Sequence, residues 1–182
     1  DNGFLSDQAV RNCRTFTDHI GVDHVFFKPS FSFMKSMYKT SLTENVHVKA
    51  AIMRASSVCN SCIQLINTQM ITFAVKFNVQ LIVGGYLGGQ VPKSGGLIER
   101  SLRSIVKNGA QMSERCARQF GPEARIYFGM EALEENGSDR VLIIANPLLA
   151  WPKAEEEIVL FLEDKAWIKP NDCGSHSSNC RL

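Results

Sequence analysis

The chain has 182 residues and a mass of 20.3 kDa; 45% of its residues are apolar, and twenty Lys and Arg against eighteen Asp and Glu leave a formal charge of +2. A chain of this size buries roughly 70% of the surface it exposes when extended, which is one domain's worth of sequence. The balance excludes a disordered segment, a fibrous repeat and a strongly basic nucleic-acid binder, and no run approaches the ~20 apolar residues of a membrane span.

The opening Asp1-Asn2-Gly3-Phe4 has neither an initiator Met nor a signal-peptide pattern, and it reads as a cut end. Ser6 is placed to cap a helix through Ala9, Val10, Cys13, Phe16 and Thr17 to Ile20, with Gly21 as its stop. Val22 to Phe27, β-branched and aromatic between that Gly and Pro29, then reads as a strand. Residues 31 to 42 carry Phe31, Phe33, Met34, Met37, Tyr38 and Leu42 at mixed helical spacing, a pattern of core or lid packing.

Ile63, Ile66, Met70, Phe73, Ala74 and Phe77 have the three-and-four spacing of a helix lying on a sheet, ended by Asn78. Gln80 to Val83 is a short buried strand running into Gly84-Gly85-Tyr86-Leu87-Gly88-Gly89. In open parallel sheets ligands sit beyond the carboxyl ends of strands, so residues 84 to 96 are the expected ligand wall. Leu97 to Val106 and Ser113 to Phe120 read as two further helices, Arg125 to Glu135 as a helical or irregular segment, and Val141 to Ala145 as a third buried strand. Pro152 to Lys165 is a late helix with Glu155, Glu156 and Glu157 at its positive end. The resulting expectation is a three-layer α/β sandwich with a mostly parallel sheet over residues 1 to 167, followed by a Cys-containing tail, 168 to 182.

Six cysteines stand at 13, 59, 62, 116, 173 and 180, far below the density of a disulfide scaffold, which favours a reducing, cytoplasmic setting. Cys59 and Cys62 form a CxxC pair just before the helix expected from Ile63. Thiols at a helix N-terminus are activated as thiolates, the form that attacks a disulfide or binds a metal. Zinc or an iron–sulfur cluster needs about four ligands, and Cys173 and Cys180 are the obvious completion, with His176 and Cys116 as substitutes. The alternatives are redox or sulfur-transfer thiols, or cysteines without chemical duty. Cys13 and Cys116 lie in amphipathic patterns and are expected to be buried.

Ser94-Gly95-Gly96 after Lys93 has the look of a phosphate loop but lacks the following Lys and Ser or Thr, and GxGxxG does not occur. Glycines still let backbone approach a flat ligand such as adenine, with Lys93, Arg100 and Arg103 available to phosphates. The middle of the chain supports this mildly: residues 91 to 125 hold seven basic and three acidic side chains, and residues 126 to 182 hold five and ten. His19, His24 and His47 have no neighbouring partner that would compose a hydrolytic triad.

Asp1-Asn2-Gly3-Phe4, a helix and Gly21-Val22-Asp23-His24-Val25, then Cys59-Asn60-Ser61-Cys62, a helix and Leu81-Ile82-Val83-Gly84-Gly85-Tyr86, together resemble the PP-loop ATP pyrophosphatase superfamily, the adenine nucleotide alpha-hydrolase-like enzymes. The CxxC–helix–strand–glycine order is similar to its branches that modify tRNA or transfer sulfur, and Trp167 to Cys180 resembles the tails of some members. The resemblance implies an adenine nucleotide alpha-hydrolase-like fold and an enzyme, a ligase or sulfurtransferase, that uses ATP with Mg to adenylate a substrate oxygen. Pyrophosphate leaves, and nitrogen or sulfur then displaces AMP. It further implies nucleotide contacts from Val83, Gly84, Gly85, Tyr86 and Lys93, catalytic roles for Cys59 and Cys62, and metal binding by Cys59, Cys62, Cys173 and Cys180.

The superfamily's SGGxDS loop, which would precede residue 1, is not in the sequence. The chain is therefore expected to be the distal portion of such an enzyme, to need an N-terminal segment or partner subunit bearing that loop, and to self-associate through an incomplete sheet. A tRNA partner follows from the resemblance alone. The rival expectations are a non-catalytic metal-binding α/β subunit or interaction module, and a thiol redox module.

Overall fold

In a computed structural model, the chain is described at residues 1–86, 91–130, 133 and 140–169. It divides into two compact units, one of residues 1–31 and 153 onward, the other Ser32–Pro152.

The first unit contains α1 (Asp7–Ile20), and its ends form as expected. Ser6 Oγ accepts from Ala9 N at 3.1 Å, and Gly21, at φ 68°, lets its own N–H and that of Val22 close on Asp18 O and Thr17 O. Val22 to Phe27 has no regular secondary structure, so the expected strand is absent. Val22, Val25 and Phe26 are about half exposed: β propensity without a partner strand yields no ladder. Asn12, buried on α1, donates from Nδ2 to Ile168 O at 2.7 Å and accepts from Ile168 N at 3.1 Å, pairing with the segment that follows the helix Glu155–Glu163.

The second unit is built on α2 (Phe31–Thr43), α3 (Lys49–Ile52), α4 (Ser57–Lys76), β1 (Leu81–Val83), β2 (Leu97–Ser101), α5 (Leu102–Phe120), α6 (Ala124–Phe128) and β3 (Val141–Ala145); the late helix of the first unit is α7. On α2, Phe33, Met34, Met37 and Tyr38 are buried as the spacing expects, with Phe33 stacked on Tyr127 at 4.5 Å between ring centres. Asn78, at φ 57°, ends α4, and Val79 N reaches back to Ala74 O.

The sheet order is β1-β3-β2, with β1 and β3 parallel and β2 antiparallel to β3. Residues 97–101, read as a helix start, are a strand instead. A parallel return needs a crossover, normally an α-helix, and only the short 3-10 turn Lys93–Gly95 lies between β1 and β2 among the described residues. Cross-strand partners share a face, so Ile82, Ile144, Ile98 and Leu142 lie on one side and Leu81, Ile143, Val83, Ala145 and Leu97 on the other. The first side carries the core: Leu142 packs in a cluster with Val75 of α4, Leu102 and Val106 of α5, Met130 and Leu133. On the other, Leu81, Val83 and Leu97 are 51%, 61% and 70% exposed.

The three-layer sandwich with a mostly parallel sheet is thus overturned. The structure is mostly helical, with a small, open, mixed sheet in this unit. Short apolar runs announced β1 and β3 without revealing that only one of their faces is covered. The two helices expected around Lys107-Asn108-Gly109 are one, α5. Gly109 sits inside it because Met130 crosses there, and a Cβ would lie 2.6 Å from Met130 Sδ.

Candidate functional site

The CxxC pair lies inside α4, not ahead of it. Ser56 caps the helix, its Oγ accepting from Cys59 N at 3.1 Å, so α4 starts six residues before the expected Ile63. Cys59 is thus the third residue of the helix, in its first turn, and its N–H is engaged by Ser56. Cys59 is exposed and Cys62, one turn on, is half-buried. Residues three apart on a helix face each other across about 5–6 Å, which suits two thiols acting on one electrophile or one metal ion.

Tyr86, the residue that follows the glycines at the end of β1, reaches back to the helix that bears the cysteines. Burial pushes the Tyr86 phenol above its ordinary value, and Cys62 beside it adds to the rise. Its hydroxyl donates to Asn67 Oδ1 of α4 at 2.9 Å. The α4–β1 step therefore brings together Cys62, Asn67 and Tyr86, of which the sequence had singled out the first and last.

The glycines divide in role. Gly84 closes the β1–β3 ladder, donating to Ala145 O at 2.8 Å, and a Cβ on it would collide with Asn146 Oδ1. Asn146 is buried, donates from Nδ2 to Gly95 O at 2.6 Å and from its backbone to Gly96 O at 2.8 Å, while its Oδ1 is buried without a hydrogen-bond partner. Gly84 is glycine to admit Asn146. Gly85, with nothing within 4 Å of where a Cβ would be, is open to a ligand. Val83 is exposed on the uncovered sheet face, and Lys93 begins a 3-10 turn, Lys93–Gly95, leading into β2. Asn146 was read only as a turn; nothing in its local sequence signals that it ties the ends of β1 and β3 to Gly95 and Gly96.

A second cluster lies under the CxxC. Ser61, between the two cysteines, is 0% exposed and contacts Ser41 Oγ of α2 at 2.7 Å and His47 Nε2 at 2.8 Å. Ser41 Oγ donates to Met37 O at 2.8 Å. Burial lowers the His47 pKa below 6.5; a backbone hydrogen bond with Ser57 opposes this, and Arg115 adds to it. His47 thus has a serine partner that sequence inspection missed, because the two are fourteen residues apart. Among the described residues no carboxylate is hydrogen-bonded to His47 to complete a triad, and a serine without exposure cannot meet a substrate.

Among the described residues no group of three or more His, Cys, Asp or Glu converges to hold a metal. Cys59 and Cys62 offer two ligands; Cys173, Cys180 and His176 lie outside the described residues. Cys116 is buried as expected, its thiol pushed up to about 11 mainly by burial, with Arg115 partly offsetting it. Cys13 is exposed, contrary to expectation, because it lies on the outer side of α1. No described helix is long and apolar enough to cross a membrane.

The chain matches no protein-family model, no curated protein and no solved structure.

Proposed function

We propose that this chain is the thiol-bearing part of an ATP-dependent adenylating enzyme, a ligase or sulfurtransferase that activates a substrate oxygen for amidation or sulfur transfer. The observation that carries the reading is the hydrogen bond that holds Tyr86, at the glycine-rich carboxyl end of β1 beside the open Gly85, to Asn67 of the helix that bears Cys59 and Cys62. Strand carboxyl ends are where open sheets with parallel strands receive ligands, and a paired thiol next to such an end suits transfer to an activated oxygen. In this reading Val83, Gly84, Gly85, Tyr86 and Lys93 border the nucleotide or acceptor, Gly84 through the wall it forms with Asn146. Cys59 and Cys62 carry sulfur or, with Cys173 and Cys180, hold zinc or an iron–sulfur cluster. MgATP would be held chiefly by an SGGxDS loop on a preceding segment or a partner subunit.

Protein purified anaerobically, native and Cys59→Ser, is the test. The native protein is expected to carry stoichiometric zinc, iron or cyanide-labile sulfur that the variant loses, and to co-purify with, or gain ATP–pyrophosphate exchange from, a polypeptide bearing SGGxDS. Absence of metal and labile sulfur from both proteins overturns the role of the thiols; absence of any exchange overturns adenylation.

A second reading is favoured by one observation, the exposed apolar sheet face of Leu81, Val83 and Leu97. A face of this kind suits an interaction module or self-association. A protein that stays monomeric and sheds no apolar exposure on mixing with its co-purifying partners would remove it.

A further inference from the structure

Ser41, His47 and Ser61 come from three different places: α2, the segment before α3, and α4. Three short contacts link them into a row, Met37 O to Ser41 Oγ, Ser41 Oγ to Ser61 Oγ, and Ser61 Oγ to His47 Nε2, at 2.8, 2.7 and 2.8 Å. His47 is tied to α4 twice: besides the contact with Ser61 it has a backbone hydrogen bond with Ser57, one turn earlier on the same helix.

We infer that His47 is a positioning residue for the Cys59–Cys62 pair: through its hydrogen bond it holds Ser61, the residue between the two cysteines, and so sets how α4 presents both thiols. The inference rests on the role proposed above for those thiols. Its physical basis is the helix itself, in which each residue turns the next by about 100°. With Ser61 pinned inward, Cys62 is left half-buried and Cys59 is turned to solvent, as observed. Ser61 and Ser41 are 0% and 2% exposed, so neither hydroxyl can replace a lost partner with bulk water. Arg115 of α5 is the charged side chain acting on the ring, and Gln119 of α5 donates to Val46 O at 3.5 Å, bracing the same segment from the other side.

Phenylarsine oxide, which bridges two thiols held at a fixed spacing, reads this positioning without nucleotide. The measurement is made in the full chain with Cys173→Ser and Cys180→Ser, so that the helix pair is the one probed. His47→Gln keeps both an N–H donor and an acceptor without a ring and is expected to bind the arsenical within about twofold of the parent; His47→Leu, similar in size but with no polar atom, is expected to lose about tenfold or more, the usual loss when a group that orients a ligand side chain is removed. Equal affinity in all three, equal loss in both variants, or a parent that does not bind would each overturn the inference. None of these readouts uses ATP, so they fail or succeed apart from adenylation.

Discussion

The two compact units are held together by different forces. In the unit of residues 32–152 the interior is apolar and bulky, with Phe33, Phe128, Met34, Met37, Leu102 and Leu142 fully buried. In the other unit the buried described residues are Ser6, Ala9, Asn12 and Pro29, and α7 buries none of its side chains. One is cohesive through area removed from water, the other through a few directional bonds. The contrast teaches where local opening should begin: a region with little buried apolar contact exchanges its amides at a lower free energy than the core.

That contrast can be tested by deletion. Phe128→Ala empties a buried aromatic site between α5 and α4 and should cost about 3–5 kcal/mol in urea unfolding followed by circular dichroism, the whole second unit melting with it. Asn12→Ala leaves both backbone groups of Ile168 without their partner; it should cost about 1–3 kcal/mol, seen as faster hydrogen exchange around Ile168 and in α1 with the amides of α5 unmoved. Were α5 amides to speed up equally, the two units would share one cooperative transition. Gly84→Ala sets a methyl group against Asn146 and is expected to destabilise by about 1–3 kcal/mol, while Gly85→Ala, with open space around it, should be close to neutral.

The smallest effect is pH-dependent. His47 has a folded pKa below its unfolded 6.5, so between those two values the unfolded chain binds the extra proton and stability rises with pH. The contribution is complete above pH 6.5 and is lost as pH falls through the folded value. Unfolding midpoints compared between pH 5 and 7 should show a small loss on the acid side that His47→Gln removes; an unchanged slope in the variant would assign the dependence to other groups.

Much of the local structure was written in short stretches of chain. Ser6 and Gly21 bound α1, Asn78 stops α4, and LIV and VLIIA form β1 and β3, since caps, left-handed stops and apolar β-branched runs act over a few residues. The CxxC and the glycine-rich strand end were legible in the same way, as was the burial of Cys116. Val22 to Phe27 shows the limit of such reading: its composition asks for a strand, but a strand exists only where another segment pairs with it.

What tertiary structure decided are the relations between distant residues. Leu97 to Ser101 became a strand because the edge of β3 lay open to it, and the sheet kept one bare face because α4 and α5 pack on the same side. Asn146 chose glycine at position 84 across a parallel ladder, Tyr86 met Asn67 across a helix and a strand, and Ser61 met His47 and Ser41 only when three elements closed on one another. Local preference acts over the next few residues, whereas partners of a buried polar atom are chosen by whichever segments pack around it, and that choice is made only when the chain is folded.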